Sequence, residues 1–582
     1  MRIKDVEFLT GLTRKSIRFY EAKGLLRVKR SDNSYREYDE SVVRQLQSIA
    51  ALRKAGVSIS DIQLWQDEVI SLEEMLRKRL SELKDHSELT ASQTALCQDL
   101  IHHPGHLCGQ TVSQTPPLDE AEALQQSAPD ARLCLGVDIG TTTISSVVLD
   151  LSAGCSVAAY TVKGSADIPS PHSWEKLQDV RKIEDRVTKL IDSLLDRYPQ
   201  IQAIGFTGQM HGILYLDSQN RPCSPLYTWQ DGRAGLGKPS TCQILAETTG
   251  FPVPAGYGLA THCHLQRTGE LPQEAVRLCT VMDYLAWKFC GFCHLRIHST
   301  NAASLGFFDL NEHRFDTAAL EKAGISSDFL PEVTSENEIL GTYRGIPVSV
   351  AIGDNQASFL GTVRDHATMP LANFGTGSQI SLFANEDMVR VFTPDADIEI
   401  RPFLENTFLI SGSALCGGRA YALLEQFFRS FASSIGKDGE QYEVLNRLAL
   451  KGLEEENPMD VSTTFCGTRQ NPELRGYIGN IGEDNFTPEA LAAGILSGMA
   501  RELKQMHQRM PSQAAAWLVA SGNAIRKNPA LRKALEQVFQ TEVLIPAHQE
   551  EAAYGAAMFC AMATKLGPSD EISQNYIRYI GR

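Results

Sequence analysis

The sequence predicts a chain of several domains: a small helical head, one long helix, and a larger α/β body built from two equivalent lobes. Its 582 residues are too many for a single hydrophobic core. Positive charge is concentrated in the first 54 positions, which hold 13 Lys and Arg against 7 Asp and Glu. From Arg132 onward strands alternate with helices and glycine-rich turns, which is the α/β pattern.

Composition excludes several classes of protein. Hydrophobic residues make up 43% and charged residues 21%, as in globular chains. No stretch approaches the roughly 20 apolar residues of a membrane-spanning helix, and the N-terminus MRIKDVEF lacks the apolar core of a signal peptide. The 13 cysteines show no short-spaced framework, which is typical of a reducing compartment. We therefore expect a cytoplasmic protein with no membrane partner.

The net charge of -15 taken as a whole argues against a nucleic-acid partner, but the distribution of that charge along the chain does not. The first 54 residues carry +6, and the remaining 528, with 42 basic and 63 acidic residues, carry -21. Because phosphate backbones attract basic surfaces, the head is a candidate nucleic-acid module. The alternative is a chance cluster of solvated charges.

The head is predicted to begin with two helices joined by a tight turn. Lys4–Thr10 forms the first, and Thr13 caps a second that runs to about Lys23 and ends at Gly24. Basic side chains face outward on the second helix, which is the geometry that enters a DNA major groove. Val28–Tyr38 is predicted to form a basic hairpin, or wing.

A long charged helix is predicted beyond the head. Helices over Asp39–Lys54 and Ser58–Trp65 lead to a stretch from Glu68 to about Ile101 without Pro or Gly. An isolated helix of that length needs a partner, so we expect homodimerisation through residues 70–100. The alternative is a monomeric helix lying against the body. The predicted domains are the head (1–69), dimerisation helix (70–108), linker (109–131), N-terminal lobe (132–365) and C-terminal lobe (366–582).

The end of that helix suggests a different hypothesis, a metal-responsive regulator. Soft ligands cluster there, at Cys97, His102, His103, His106 and Cys108. Their spacing matches no standard zinc pattern, so clustered residues of no function remain the alternative.

Two glycine-threonine turns in the body predict a phosphate site. Leu135–Thr142 and Leu371–Ser378 are both apolar strands that end in Gly-Thr. Glycine lets backbone N–H groups approach phosphate, and hydroxyls add donors. In the first turn Asp138 stands beside Gly140, Thr141 and Thr142, where a carboxylate can hold Mg²⁺ through water. Two such turns can clamp one nucleotide from opposite sides.

Other motifs supply candidate catalytic and sugar-binding groups. Asp354 follows a strand and precedes a helical run, so it is a candidate base for phosphoryl transfer, with a helix N-cap as the alternative. Gly208–Gly212 and Trp229–Arg233 combine donors, acceptors and an aromatic surface suited to a polyol. The alternatives are a buried structural His211 and a turn ion pair between Asp231 and Arg233. Ala520–Asn523 is a candidate turn against adenosine.

Residues 1 to about 108 resemble the MerR family of transcription regulators. The resemblance rests on Leu12-Thr13, Arg18-Phe19-Tyr20-Glu21-Ala22-Lys23-Gly24-Leu25-Leu26, Tyr35-Arg36-Glu37-Tyr38 and Leu52-Arg53-Lys54-Ala55-Gly56-Val57-Ser58-Ile59. It implies a winged helix-turn-helix, an antiparallel dimerisation coiled coil and binding to palindromic promoter DNA. By position it assigns DNA contact to Arg14, Lys15, Arg18 and Tyr20 of the recognition helix and to Tyr35 and Arg36 of the wing.

Residues 132–582 resemble the FGGY carbohydrate kinases, most closely their sedoheptulokinase branch. The motifs are Asp138-Ile139-Gly140-Thr141-Thr142, Gly208-Gln209-Met210-His211-Gly212, Thr228-Trp229-Gln230-Asp231-Gly232-Arg233, Asn301-Ala302-Ala303-Ser304, Gly353-Asp354-Asn355-Gln356-Ala357-Ser358 and Ser413-Ala414-Leu415-Cys416-Gly417-Gly418. The resemblance implies two actin-like (ribonuclease H-like) lobes that close over ATP and Mg²⁺ and phosphorylate a ketose, with Asp354 as the base. It places Gln209, Met210, His211, Trp229, Asp231, Arg233 and Asn301 around the sugar, and Gly375, Thr376, Gly417, Gly522 and Asn523 around the nucleotide.

Two departures from the kinase pattern bear on activity. Related kinases often carry a basic residue where this chain has Ser145, and the turn Ser521-Gly522-Asn523 is poorer in glycine than usual. Neither touches the expected base. We therefore expect an active ketose kinase fused to a DNA-binding regulator, with a sugar sensor without turnover as the alternative. Sugar binding is expected to be coupled to transcription through the dimer helix.

Overall fold

The structure, a computed structural model, describes residues 3–26, 28–30, 36–84, 91–104, 131–375, 377–395, 397–468, 471, 473–511, 516–566 and 576–580. The chain divides into two compact units. The first comprises Met1–Ala131 together with Glu184–Gln200, and the second comprises Arg132–Ile183 and Ile201–Arg582. Within the described residues, no helix is both long and apolar enough to cross a membrane.

The first unit opens with the predicted helix-turn-helix. Its elements are α1 (Ile3–Thr10), α2 (Arg14–Ala22), β1 (Lys29–Arg30), β2 (Arg36–Glu37), α3 (Glu40–Lys54), α4 (Ile59–Gln66), α5 (Leu72–Lys84) and α6 (Ala91–His102). Thr13 caps α2 by accepting a hydrogen bond from the Ser16 amide. Strands β1 and β2 pair antiparallel, which confirms the hairpin. Local sequence signals therefore predicted the first two helices and the strand pair of this unit.

The predicted continuous helix is wrong. The side chains of Arg79 on α5 and Gln93 on α6 are 3.2 Å apart, between Nη2 and Oε1. In one α-helix, 14 residues would separate these positions by about 21 Å. The two helices therefore pack against each other, and the Cys97 Sγ on α6 lies 3.9 Å from the Ala55 carbonyl oxygen. The partner that a long amphipathic helix needs is supplied within the chain, which matches part of the monomeric alternative.

Helix α7 (Val180–Arg197) contributes its residues from Glu184 onward to the same unit. The Arg197 guanidinium forms an ion pair with Asp67, and Arg186 Nη2 lies 3.1 Å from a carboxylate oxygen of Glu74. Ser193 donates to Asp67 at 2.7 Å. These two partly buried ion pairs and the hydrogen bond connect this helix to the rest of the unit.

The second unit contains the rest of the strands and helices. The strands are β3 (Leu133–Ile139), β4 (Thr143–Asp150), β5 (Cys155–Lys163), β6 (Asp167–Ile168), β7 (Leu177–Gln178), β8 (Ile201–Gly208), β9 (Leu214–Leu216), β10 (Leu226–Tyr227), β11 (Arg277–Cys279), β12 (Arg296–His298), β13 (Phe308–Asp309), β14 (Arg314–Phe315), β15 (Glu332–Thr334), β16 (Ile339–Tyr343), β17 (Ile346–Ser349), β18 (Leu371–Phe374), β19 (Ser378–Ala384), β20 (Ile398–Pro402), β21 (Phe408–Ala414), β22 (Asp460–Ser462), β23 (Tyr477–Gly479), β24 (Trp517–Ser521) and β25 (Glu542–Leu544). The helices are α8 (Thr241–Thr249), α9 (Gly258–Thr268), α10 (Val281–Phe289), α11 (Ser299–Leu305), α12 (Thr317–Ala323), α13 (Asp354–Thr362), α14 (Glu386–Val391), α15 (Gly418–Ser434), α16 (Tyr442–Gly452), α17 (Pro488–Arg509), α18 (Asn523–Lys527), α19 (Pro529–Phe539) and α20 (Glu551–Ala563).

Two six-stranded sheets form the cores of the two predicted lobes. One runs β16-β17-β8-β3-β4-β5 and the other β20-β21-β19-β18-β24-β25. In each sheet an antiparallel hairpin, β3-β4 or β18-β19, lies beside a parallel strand, β8 or β24. The two recurring Gly-Thr segments are the turns of these equivalent hairpins. The repeat seen in the sequence is thus a repeat of architecture.

The last long helix belongs with the first of these sheets. Helix α20 shares a buried cluster with strands β3 and β8 and helix α13. Glycines permit this approach: a Cβ on Gly136 or Gly205 would collide with the backbone of α20. Helix α20 thus follows the predicted boundary at residues 365 and 366 in sequence but packs on the sheet that precedes it.

Candidate active site

The first Gly-Thr turn brings the predicted phosphate and sugar motifs together. The side chain of Gln178 donates to the Thr141 carbonyl oxygen at 2.7 Å, and that of Gln209 donates to Gln178 at 2.8 Å. The Trp229 indole, 47% exposed, donates to the Thr141 hydroxyl at 3.0 Å. A Cβ on Gly140 would lie 2.9 Å from the Thr143 carbonyl oxygen, so the tight turn needs glycine there.

Asp138 stands at the end of β3 in an acidic environment. Burial, with the charges of Asp354 and Glu550, raises its carboxyl pKa to about 8. On the neighbouring strands, Ser145 donates to Thr161 at 3.3 Å, and Thr161 donates to Glu550 at 2.7 Å. Hydroxyls and carboxylates, with no cation among these contacts, form the oxygen-rich environment that Mg²⁺ prefers. The site fits a magnesium ion held near Asp138.

The second turn is lined by backbone rather than by charge. Gly375 donates to the Gly377 carbonyl oxygen at 3.0 Å, and Gly418 donates to the Gly375 carbonyl oxygen at 3.1 Å. A Cβ on Gly417 would collide with Gly377, and Gly522, at φ 96°, lies against the Phe374 carbonyl. Four predicted nucleotide residues therefore meet around this turn: Gly375, Gly417, Gly522 and the exposed Asn523. Thr376 lies outside the described residues.

Asp354 begins α13, and Gly353 is the N-cap, so the N-cap alternative does not hold. The Asp354 carboxylate accepts hydrogen bonds from the backbone amides of Asn355 and Met210. Burial raises its pKa to about 6, opposed by the positive charge of Arg401 and by these amides. A carboxylate with this pKa is ionised at neutral pH yet basic enough to accept a proton.

Asn301 supports the loop of Asp354 rather than facing solvent. It is fully buried and donates through Nδ2 to the Ala351 carbonyl oxygen at 3.1 Å and to Asp283 at 3.3 Å. Thr300 accepts a hydrogen bond from the Gly353 amide at 3.0 Å. Both contacts hold the residues immediately before Asp354, which points to a positioning role.

A cavity of about 190 Å³ opens beside this loop. Met210 and His211 line one side, and His211 stacks on Tyr257 with ring centroids 4.3 Å apart. His211 adopts φ 72° and its Nδ1 lies 2.7 Å from the Ser304 carbonyl oxygen. Because it faces the cavity, His211 is not the buried structural residue of the alternative interpretation.

Asp231 and Arg233 lie outside the lining of this cavity. Both are buried, at 1% and 5% exposure, and their side chains form an ion pair at 2.6 Å. The Arg233 guanidinium also contacts Glu175 at 3.1 Å and lies 4.5 Å from the Tyr227 ring centroid. This arrangement is the turn ion pair of the alternative interpretation, and neither residue is among those that line the cavity.

Sequence reasoning missed the side of the site that the C-terminal lobe provides. Asn355 donates to Gln379 at 2.6 Å, and Gln379 donates to Ser413 at 3.0 Å. Glu399 and Arg401, on β20, line the cavity. None of the quoted motifs contains Gln379, Glu399 or Arg401, which follow Asp354 by 25 to 47 positions in the sequence.

In the first unit, the structure separates the predicted DNA-contacting residues. Lys15 and Arg18 are exposed, whereas Arg14 pairs with Glu7 and Arg36 with Glu21, each at 2.7 Å. Tyr20 is 2% exposed and packs in the core, unlike Lys15 and Arg18, and its DNA contact stays a prediction. Its ring fills the space under α2, where the apolar stripe of the helix needs a large side chain. Tyr35 lies outside the described residues.

The cysteine and histidine cluster is only partly described. Cys97 is buried, and burial raises its thiol pKa to about 11, which disfavours the thiolate that binds metal. His102 and His103 are exposed, and His106 and Cys108 lie outside the described residues. Over the part of the chain that the structure describes, no group of three or more His, Cys, Asp or Glu is placed to hold a metal ion.

Two repeated sheets, paired glycine turns and a half-buried aspartate beside a sugar-sized cavity define a two-lobed sugar kinase that uses ATP. Family comparison agrees: the N-terminal domain of the FGGY family of carbohydrate kinases matches residues 133–361, and its C-terminal domain matches residues 373–564. The chain belongs to the FGGY family of carbohydrate kinases. Residues 1–68 match the MerR HTH family of regulatory proteins, so a MerR-type head precedes the kinase.

Curated relatives cover the kinase part almost completely. Sedoheptulokinase from Mus musculus is 25% identical over 73% of this chain and 96% of its own length. Xylulose kinase from Staphylococcus xylosus is 23% identical over 76% and 94%, and glycerol kinase from Alteromonas mediterranea is 24% identical over 74% and 90%.

Solved structures share the fold. A ligand-bound xylulose kinase from Lactobacillus acidophilus superposes with a TM-score of 0.66 at 18% identity, covering 77% of this chain and 92% of that one. The xylulose kinase from Rhodospirillum rubrum gives 0.65 at 19% identity, covering 77% and 93%. At this identity the likeness concerns the fold.

Proposed function

We propose that this protein phosphorylates a ketose of the sedoheptulose type with ATP and that its head binds promoter DNA. The single observation that carries the kinase half is Asp354. Its carboxylate is anchored by the Met210 amide beside the cavity, and Arg401 offsets the effect of burial on its pKa. A base in this position accepts the proton of a ketose hydroxyl as the phosphoryl group is transferred.

The two glycine turns support binding of ATP. Their amides and the hydroxyls of Thr141 and Thr142 are suited to phosphate oxygens, and Gly522 with Asn523 is suited to adenosine. Asp138 would hold Mg²⁺ through water; when bound, the ion neutralises charge on the phosphates. The chain's own residues fix the geometry of the turns and keep Asp354 half-buried.

The acceptor binds, in this proposal, in the cavity against Met210 and His211. Gln209 and Trp229 link the acceptor site to the phosphate turn through Thr141. Asp231, Arg233 and Asn301 are proposed to act on the sugar indirectly, because each is buried and hydrogen-bonded to its own neighbours. They shape the loops on which the exposed groups stand.

The kinase half is tested by an ADP-release screen of the purified full chain with pentuloses, heptuloses and polyols. Turnover is expected with a ketose and is expected to fall by about 10²- to 10⁴-fold in Asp354→Asn. Asp365→Asn, an exposed aspartate beyond the same helix, is the matched control and should leave the rate unchanged. Ketose binding without any ADP release would contradict a kinase and support a sugar-sensing regulator.

The head is proposed to bind palindromic DNA as a homodimer in the cytoplasm. The exposed Lys15 and Arg18 on α2 are its main candidate contacts, with Arg14 and Arg36 available once they exchange Glu7 and Glu21 for phosphate. Selection of bound duplexes from a randomised pool is expected to return two inverted half-sites. A single half-site would contradict dimeric binding. Arg18→Ala with Arg36→Ala should abolish selection and leave ADP release intact.

Coupling between sugar and DNA is part of the proposal. Glu184–Gln200 supports it, since this segment lies within the kinase match yet belongs to the compact unit of the head. Ketose with ATP is therefore expected to shift the affinity for the selected duplex. Identical DNA affinity with and without these ligands would contradict coupling, and Arg197→Ala, which removes the pair with Asp67, should reduce any shift.

A further inference from the structure

The cavity beside Asp354 has one charged wall. Most of its lining is apolar or aromatic, including Phe251, Val253 and Phe307, which suits the C–H faces of a sugar. The opposite wall is strand β20, where Glu399 and Arg401 both reach the cavity. At about 190 Å³ the space is below the ~300–1,000 Å³ of sites for drug-sized ligands, as expected for a monosaccharide.

Glu399 and Arg401 form a well-ordered pair. Arg401 donates through Nε and Nη2 to one oxygen of Glu399, at 3.1 and 2.8 Å, and the two side chains are 11% and 24% exposed. The other Glu399 oxygen lies 3.4 Å from the Tyr257 hydroxyl. Tyr257 in turn stacks on His211, so the carboxylate belongs to the same wall as the expected sugar ligands.

A half-buried ion pair of this kind is a weak source of stability, because desolvation of both charges offsets their attraction. Its position matters more. Arg401 acts on Asp354, whose pKa it lowers, and Glu399 lines the same cavity. The wall thus carries one positive charge that acts on the candidate base and one negative charge that an acceptor in the cavity would meet.

We propose that Glu399 is a specificity-determining residue that binds hydroxyls of a neutral acceptor and rejects acceptors with a carboxylate or phosphate at that position. Arg401 is a positioning residue, which holds Glu399 in place. A carboxylate accepts several hydrogen bonds from a polyol, whereas it repels an anionic group in the same place. This inference rests on the proposed kinase function and assigns the class of its acceptor.

The test compares a neutral ketose with an aldonate of the same chain length. In Glu399→Gln, KM for the ketose is expected to rise by about 10- to 100-fold with kcat within threefold, because a charged hydrogen-bond acceptor is lost. The preference for ketose over aldonate, as a ratio of kcat/KM, should fall by at least tenfold. Glu399→Asp, which keeps the charge, should retain the preference.

The matched control is Glu338→Gln, which breaks a similar pair with Arg296, at 2.7 and 2.9 Å, outside the cavity lining. It should change neither KM nor the preference. An unchanged KM for the ketose in Glu399→Gln would overturn the proposal. So would an equal loss of kcat/KM for the ketose and the aldonate in a variant whose melting temperature is unaltered. If Glu399→Gln does not fold, Glu399→Asp decides: loss of the preference despite retained charge overturns it.

A wild-type protein without turnover on any sugar would overturn the kinase function alone. Calorimetric titration with the ketose then tests the role of Glu399 in binding separately from catalysis. Weaker ketose binding by Glu399→Gln than by wild type supports the assignment, and equal binding overturns it.

Discussion

The two glycine turns of the body connect equivalent hairpins, each beside a parallel strand of its sheet, yet they differ in charge. In the first, Asp138 precedes the glycine by two residues; in the second the same place is held by Asn373. The first turn therefore lies among carboxylates, including Asp354 and Glu550, whereas the second is built from close backbone contacts among glycines. The two turns therefore share a hairpin geometry and differ in the side chains around it.

Between the two turns, the largest expected effect comes from replacing the Asp138 carboxyl group of the first turn. Asp138→Asn is expected to lower kcat/KM for ATP by about 10²- to 10³-fold, because a group that stabilises transition-state charge is lost. The Mg²⁺ concentration for half-maximal rate should rise in the same assay of ADP release. A variant within threefold of wild type would show that the two turns are equivalent in charge as well as in geometry.

The charge of Asp354 is expected to control the pH dependence. The base works only when ionised, and its pKa is raised to about 6 by burial. Below pH 6, kcat/KM for the ketose should therefore fall about tenfold per pH unit, and above pH 7 it should level off. A rate that rises as pH falls from 7 to 5 would contradict Asp354 as the base.

The second turn is expected to be sensitive to volume instead. In Gly417→Ala, a Cβ would collide with Gly377 backbone, so we expect a loss of about 2–4 kcal/mol in the free energy of unfolding. Gly140→Ala, where the nearest atom would be 2.9 Å away, should cost less. Thermal unfolding of both variants checks the order, and a larger loss for Gly140→Ala would reverse the comparison.

The smallest effect is expected at Asn373. Its side chain is neutral and half-buried, so Asn373→Ala should change kcat/KM for ATP by less than threefold. The same ADP-release assay measures it beside Asp138→Asn. A loss as large as that of Asp138→Asn would mean that the second turn also acts through a side chain.

Sequence signals predicted the elements that are governed by local rules. The cap at Thr13 predicted the start of α2, and the repeated Gly-Thr segments predicted two equivalent lobes. The same local reasoning failed for the stretch from Glu68 to Ile101. An uninterrupted helical pattern does not exclude a chain reversal, and the apolar stripe is satisfied as well by a neighbouring segment as by a second copy.

Motifs predicted which segments come together but not which side chains face the cavity. Met210 and His211 line it, whereas the burial of Tyr20, Asp231 and Asn301 depends on how much neighbouring chain covers each one. A hydrogen-bonding side chain beside a small residue looks the same in sequence whether it faces ligand or supports a loop. Only packing distinguishes the two.

By itself, the sequence determined the order of modules, the separation of positive head from negative body, and the identity of the candidate base. These depend on composition, local turns and motifs of a few residues. Tertiary structure alone decided that α5 and α6 pack together, that α20 returns to the first sheet, and that Glu399 and Arg401 line the cavity. Each of these requires contact between residues far apart in the chain, which depends on the packing of whole elements.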